Sequence, residues 1–134
     1  MTLTLMKSTK GKVAGGYLHI QWDDDDYGCE GSDSSAFVLS VDNQLKLTPT
    51  NNDKAVYFNS VCGPKFGNYS LAVQYNEMMN APDNCYCCTN GMREYFNVPT
   101  DAQGNSILAG DGQGKKDGGK TFTLAAIETW AVTY

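Results

Sequence analysis

The feature that most constrains the fold is the strict alternation of apolar residues over Phe37–Leu47. Apolar side chains stand at every second position on both sides of the pair Asp42-Asn43. A period of two means that one face of a strand is buried while the other meets water, and Asp-Asn favours a tight turn. The segment is therefore predicted to be a β-hairpin.

The same alternation recurs along the chain and predicts an all-β protein. Early strands are expected at Leu3–Leu5, at Val13 and over Tyr17–Trp22, and later ones at Ala55–Phe58 and Tyr69–Tyr75. Further strand signals are Glu94–Val98, Ser106–Ala109, Phe122–Ala126 and Trp130–Tyr134, whereas Cys62–Gly67 is expected to turn the chain. Short strands without a long amphipathic helix favour an antiparallel β-sandwich or barrel, with a β-trefoil as the alternative.

Length and charge restrict the organisation and the partners. The 134 residues fit one β domain, 1–134, with a long cysteine-rich loop at 76–93 and a flexible Gly/Lys loop at 110–120. The net charge of −5 repels nucleic acid and anionic membranes, so neither is expected as a partner. No apolar run reaches the roughly 20 residues that span a bilayer. Met1–Lys7 is too short for a signal-peptide core, so a secreted form would already have lost its leader.

Cysteine content favours an oxidising compartment. Five cysteines are many for a small cytosolic protein, so we expect secretion and disulfide bonds with one thiol left over. The spacing does not fix the pairing among Cys29, Cys62, Cys85, Cys87 and Cys88. Asn68-Tyr69-Ser70 matches the N-glycosylation pattern at Asn68, which points to the same compartment.

Three segments match motifs for phosphate or metal binding. Gly114–Thr121 fits the phosphate-loop pattern, but it precedes a strand rather than a helix, so a hairpin loop is expected. The acidic run Asp23, Asp24, Asp25 and Asp26, with Glu30 and Asp33 nearby, offers oxygen ligands for Ca²⁺, although a solvated loop is the simpler interpretation. The cysteines and His19 could supply a zinc site, but disulfides explain them better.

Catalytic chemistry has few candidates in this sequence. One histidine and one arginine, Arg93, leave mainly carboxylate pairs drawn from Glu30, Glu77, Glu94 and Glu128, as a small hydrolase would use. We therefore expect a protein that is not an enzyme and that needs no cofactor, with Ca²⁺ as the alternative.

Aromatic residues beside loops are the candidates for ligand binding. Trp22, Tyr27, Tyr86 and Tyr95 could stack on sugar rings, as in a carbohydrate-binding module, or a trefoil lectin or inhibitor. The competing interpretation places the tryptophans in the core and the tyrosines half-buried on a sheet.

Several blocks together form a pattern known from fungal proteins. They are Cys29, Phe37–Leu39, Leu45–Leu47, Val56–Phe58, Gly63–Gly67, Phe96–Val98, Ile107–Leu108 and Thr129–Val132. Their order resembles the phialide-associated cell-wall proteins of filamentous fungi and similar small secreted fungal proteins. Ala125-Ala126 stand where that family tends to have a cysteine, so the disulfide framework would differ. The resemblance implies an extracellular or cell-wall β protein without known catalytic residues. We expect it to act at the cell wall or host interface, as an effector does, with an extracellular polysaccharide or a host protein as its partner.

Overall fold

In the computed structural model β-strands are the main regular structure of the described residues. The structure describes residues 1–22, 28–59, 62–68, 70–74, 92–99, 108, 122 and 124–133. The elements in these ranges are strands β1 (Thr2–Ser8), β2 (Val13–Leu18), β3 (Cys29–Gly31), β4 (Phe37–Ser40), β5 (Leu45–Leu47), β6 (Val56–Phe58), β7 (Cys62–Phe66), β8 (Leu71–Gln74) and β9 (Leu124–Ala131), the 3₁₀ turn Asn52–Lys54 and the helix α1 (Met92–Tyr95).

The strands form two antiparallel sheets. The first has five strands in the order β5-β4-β2-β1-β9, and the second has four in the order β3-β6-β7-β8. The two sheets pack face to face. Their close contact is seen where the ring tip of Phe66 in β7 lies against the backbone of Gly16 in β2. The antiparallel sandwich predicted from the alternation is confirmed, and the trefoil alternative is not what the structure shows.

The apolar core fills the space between the sheets. Every second residue of the first sheet points into it, as Met6, Leu18 and Val38 do, and these side chains are fully buried. The remaining members of the core are Ala14, Leu47, Val56, Phe58, Phe66, Leu71, Val73, Met92, Phe96, Leu108 and Phe122. Burial of these apolar side chains is the main contribution that favours the folded state.

The predicted hairpin over Phe37–Leu47 is confirmed. β4 and β5 pair antiparallel with Val38 opposite Leu47, and the chain reverses between them. Gln44 takes a positive φ of 52° at the end of this turn. Asp42 also fastens the turn to the neighbouring strand, because its Oδ2 accepts a hydrogen bond of 2.6 Å from the Val13 N–H.

Four local predictions differ from the structure. The strands expected at Val13 and over Tyr17–Trp22 are one strand, β2, which ends at Leu18. Cys62–Phe66 is a strand rather than a turn, and the two strands expected at the C-terminal end are one strand, β9. The strand expected at Glu94–Val98 is replaced by α1. Met92 and Phe96 are four residues apart and both are fully buried, and the Phe96 N–H donates to the Met92 carbonyl at 2.7 Å. A spacing of four residues places both side chains on one side of a helix. Phe96 and Val98, two residues apart, match the alternation of a strand when they are considered alone.

Candidate binding surface

The side of the five-stranded sheet that faces away from the core is unusually apolar. The pairing register fixes its members, because directly opposed residues share a face. We call this side the outer face; it comprises Leu3, Leu5, Lys7, Val13, Gly15, Tyr17, Phe37, Leu39, Val41, Lys46, Ala126, Glu128 and Trp130. A solvent-facing sheet surface would normally carry polar residues at most of these positions.

One row of the outer face is apolar or aromatic across four strands. Trp130 lies opposite Leu3, Leu3 lies opposite Tyr17, and Tyr17 lies opposite Phe37. The rings of Tyr17 and Phe37 stack with centroids 5.1 Å apart and an interplanar angle of 16°. The row therefore forms a continuous apolar strip from β9 to β4.

The next row has opposite charges at its two borders. It runs from Glu128 in β9 through Leu5, Gly15 and Leu39 to Lys46 in β5. The Lys46 ammonium lies 4.2 Å from the Phe37 ring centroid, a cation–π geometry. With neighbouring strands about 4.8 Å apart, the charged borders are separated by about 19 Å of apolar surface.

Both of the large apolar residues that are exposed in the described part of the chain belong to the outer face. Trp130 is 57% exposed and Val41 is 55% exposed. Val41 continues the strand ladder beyond β4, since its N–H donates to the Val13 carbonyl at 2.9 Å. Between them the outer face is less exposed, since Tyr17 is buried and Phe37 and Leu39 are half-buried. Exposed large apolar side chains on one face of a sheet are typical of an interaction surface.

Trp22, a predicted ligand-binding residue, lies at the edge of the core. Its ring makes edge-to-face contacts with Phe58 and Phe66, at centroid distances of 5.9 and 5.6 Å. Its Nε1–H donates to Thr2 Oγ1 at 2.9 Å. The indole is half-buried and its polar atom is paired, so this placement favours the packing interpretation for Trp22.

Two other candidate residues lie on different elements. Tyr95 is half-buried at the end of α1, whereas Asn68 is half-buried in the turn after β7. Ser70, which completes the glycosylation pattern, is fully buried. The structure does not bring Trp22, Tyr95 and Asn68 together as one described site, and glycosylation of Asn68 stays a prediction.

Asp33 has a structural role in the described part of the chain. It is 4% exposed, and its Oδ2 accepts hydrogen bonds from the N–H groups of His19 and Ile20 at 2.6 and 3.3 Å. Its Oδ1 accepts from the Ser35 N–H at 2.8 Å. Both oxygens are thus occupied by backbone amides, and the carboxylate fastens the end of β2 to the loop before β4.

The described cysteines belong to the second sheet. Cys29 is half-buried against the core in β3, and Cys62 begins β7. Disulfide pairing stays a prediction because the other three cysteines lie outside the described residues. So do Tyr27, Tyr86, Glu77, Asp23–Asp26, the phosphate-loop match at 114–121 and the loop at 110–120. Of the loop predicted at 76–93, only Met92 and Arg93 are described, and they begin α1.

The candidate catalytic and metal-binding groups are spread over the fold. Glu30 lies in β3 and pairs with Lys54 at 3.7 Å, Glu94 lies on α1 and Glu128 on β9. Arg93 donates to the carbonyls of Val98 and Pro99 at 3.4 Å. Among the described residues, no three His, Cys, Asp or Glu side chains are grouped closely enough to hold a metal ion. No described helix is long and apolar enough to span a membrane.

Comparison with known proteins identifies the family. The sequence profile of the TLDc domain matches residues 1–133. The chain belongs to the TLDc domain family. This match overturns the resemblance to phialide-associated cell-wall proteins, which depended on short strand and turn motifs that many β proteins share. No curated protein and no solved structure matches this TLDc chain.

The outer face of this TLDc domain was not predicted from the sequence. A signal for it exists in β1, where the apolar residues Leu3 and Leu5 point to one face of the strand and the buried, apolar Met6 points to the other. Apolar residues on both faces indicate a strand that contacts apolar material on both sides. This signal alone does not define a surface, because only the pairing register of β9 and β4 shows which residues lie on the same face as Leu3 and Leu5.

Proposed function

We propose that this TLDc domain is a non-enzymatic protein-binding module whose binding surface is the outer face. The observation that carries the proposal is the apolar row from Trp130 to Phe37, on the same face as both exposed large apolar residues. A sheet with an apolar face is stable in water when another layer covers that face. The chain itself already buries Tyr17, and a partner protein would cover the exposed remainder of the face, from which Trp130 and Val41 project.

The shape and charge of the outer face favour one kind of partner segment. An α-helix with its side chains is about 10–12 Å wide, so one helix fits within the roughly 19 Å between Glu128 and Lys46. Its apolar side would cover Leu5 and Leu39. Charge complementarity requires an acidic residue beside Lys46 and a basic residue beside Glu128. We therefore expect the partner to present an amphipathic helix with one acidic and one basic border.

Stacking on sugars has less support than protein binding. The Phe37 ring is stacked on Tyr17 and also contacted by Lys46, and Trp22 packs against the core. Trp130 is the one strongly exposed aromatic residue on the described outer face. A single platform is a small site for a polysaccharide.

The proposal is tested by photo-cross-linking in the native host. A benzophenone amino acid is placed at Leu39 on the outer face or, as a control, at the exposed Lys54 in the 3₁₀ turn before β6. We expect a discrete protein adduct from position 39 and none at the same mass from position 54. Equal adducts from both positions, or none from position 39, would contradict the proposal.

A charge reversal then tests the geometry on the cross-linked partner. Lys46→Glu is expected to weaken binding by about tenfold, and reversal of the partner's acidic residue should restore it. Lys54→Glu is the matched control, because it makes the same charge change at an exposed ion pair with Glu30. Equal effects of the two variants would contradict the proposal. Saturable retention on a polysaccharide that Trp130→Ala abolishes and Lys46→Glu spares would favour the carbohydrate-binding alternative.

The compartment stays a separate prediction. A secreted, extracellular location was expected from the five cysteines. The intact mass of chain purified from its host, before and after reduction, checks this expectation. A mass lower by two hydrogens for each disulfide bond supports an oxidising compartment. Five free thiols before reduction would contradict it.

A further inference from the structure

Strand β9 is the most exposed element of the five-stranded sheet. It is eight residues long and stands at the end of the strand order, and within the described chain it pairs with β1 alone. Six of its eight side chains are exposed, including Thr129 and Ala131 on the side that faces the core elsewhere in the sheet. Leu124 and Ile127 still pack against the core, so the core covers the first part of β9 but not its end at Thr129 and Ala131.

Half of the backbone groups of β9 point away from β1. The Val132 N–H donates to the Met1 carbonyl at 3.1 Å, so Val132 and Met1 form a hydrogen-bonded pair. In an antiparallel ladder such pairs alternate with pairs that are not hydrogen-bonded. Hence Trp130 and Glu128 bond to β1, whereas Ile127, Thr129 and Ala131 direct their N–H and C=O groups to the outer edge.

β9 lacks the features that normally protect a sheet edge. It contains no proline, glycine or lysine, and Glu128 is its one charged residue. The edge strand β5, in contrast, has three residues and carries Lys46. A long, nearly uncharged edge strand is a template for another strand.

The strand is complementary to itself about a two-fold axis. Pairing centred on Glu128 would oppose two carboxylates and is disfavoured. Pairing centred on Ile127 would place Thr129 opposite Ala125, where β9 has a register shift against β1. Pairing centred on Thr129 places Ile127 opposite the second copy's Ala131 and Glu128 opposite its Trp130, without like charges.

The charge distribution also favours a second copy at this edge. The chain carries a net charge of −5, which opposes self-association over most surfaces. β9 contributes a single negative charge, and Lys7 lies diagonally from it on the outer face. Repulsion between two copies is therefore low along β9.

We propose that this edge is an interface between two copies of the chain, which pair antiparallel through Ile127, Thr129 and Ala131 with Thr129 on the two-fold axis. The three pairs would exchange six backbone hydrogen bonds and join two five-stranded sheets. This proposal is independent of the proposed function, because it uses the backbone edge of the sheet rather than the outer face. One strand buries less than the roughly 1,200–2,000 Å² of stable complexes, so association in the micromolar to millimolar range is expected.

Amide hydrogen exchange of the wild-type protein tests the proposal without any substitution. As protein concentration rises to about 1 mM, the amides of Ile127, Thr129 and Ala131 should gain protection while sedimentation shows a dimer. The amides of Glu128 and Trp130 should be protected at every concentration. A folded chain that stays monomeric at about 1 mM, or a dimer in which the three outward amides stay unprotected, overturns the proposal.

Two variants at the centre of the interface give a second test. Thr129→Pro removes an outward N–H, which an edge strand tolerates, and Thr129→Ala loses the same hydroxyl but keeps the N–H. Thr129→Pro should weaken dimerisation at least tenfold relative to Thr129→Ala. Equal dissociation constants for the two variants overturn the proposal, and if Thr129→Pro does not fold, the exchange measurement decides.

Discussion

The ring tip of Phe66 rests against the backbone of Gly16, so that a β-carbon built on Gly16 would lie 2.5 Å from the ring carbons. Phe66 is fully buried and belongs to the second sheet, whereas Gly16 is in the middle of the first. The absence of a side chain at position 16 thus sets how closely the two sheets approach.

We predict that Gly16→Ala destabilises the protein. Insertion of a methyl group into a packed core costs about 1–3 kcal/mol, because side chains and backbone must shift. Urea unfolding measures the change in the free energy of unfolding. In a double-mutant cycle, Gly16→Ala should cost less on a Phe66→Leu background, and an unchanged cost would show that the ring contact is not the cause.

Asp33→Asn is expected to destabilise the protein although it preserves size and shape. The carboxylate accepts from the His19 and Ile20 amides through one oxygen and from the Ser35 amide through the other. An amide side chain has one acceptor oxygen, and a hydrogen bond to a charged group contributes about 1.5–3 kcal/mol. Thermal and urea unfolding measure the loss. Asp53→Asn, at an exposed carboxylate, is the control and should change the free energy of unfolding far less.

Trp22→Ala is expected to lower the free energy of unfolding, and any loss of binding should follow from the loss of folded protein. The indole packs against Phe58 and Phe66, and truncation of such a ring costs up to about 3–5 kcal/mol. Trp22→Phe loses the hydrogen bond to Thr2 while it keeps most of the packing, and should cost roughly 1 kcal/mol. Circular dichroism and a binding assay on the same samples check this. Loss of ligand retention in a fully folded Trp22→Ala protein would show that Trp22 is a ligand-binding residue after all.

Lys46→Met should lower the free energy of unfolding slightly. The ammonium group lies over the Phe37 ring, and an exposed cation–π contact is worth about 0.5–1 kcal/mol. Methionine keeps the length of the side chain but not its charge. On a Phe37→Leu background the same substitution should be neutral, and a full effect there would assign the loss to another contact of Lys46.

The alternation of apolar residues predicted the sandwich and the Phe37–Leu47 hairpin, but in β4 it marks the face that points away from the core. Phe37 and Leu39 lie on the outer face, whereas Val38 and Ser40 are buried. The alternation failed at β9, where both faces are mostly exposed and burial therefore imposes no pattern. It failed again at α1, where a single turn carries only the pair Met92 and Phe96. Local helical spacing over four residues cannot be separated from a short strand.

The binding surface could not be predicted in the same way, because its residues come from five strands that are far apart in the chain. Trp130 and Leu3 are neighbours only through the register of β1 and β9. Aromatic residues such as Trp22 were more conspicuous in the sequence, but their neighbours in the core became visible only with the fold.

The order of strands in the first sheet also governs how the chain acquires its structure during synthesis. β1 lies between β2 and β9, so residues at opposite ends of the sequence must meet, as the hydroxyl groups of Thr4 and Thr129 do at 3.2 Å. Contacts between residues so far apart in the sequence form slowly, because closing the long intervening loop costs conformational entropy before the contacts stabilise the fold. While the ribosome is still translating the segment before β9, one side of β1 has no strand to pair with, and its exposed amides and Leu3 and Leu5 are what a nascent-chain chaperone would have to shield.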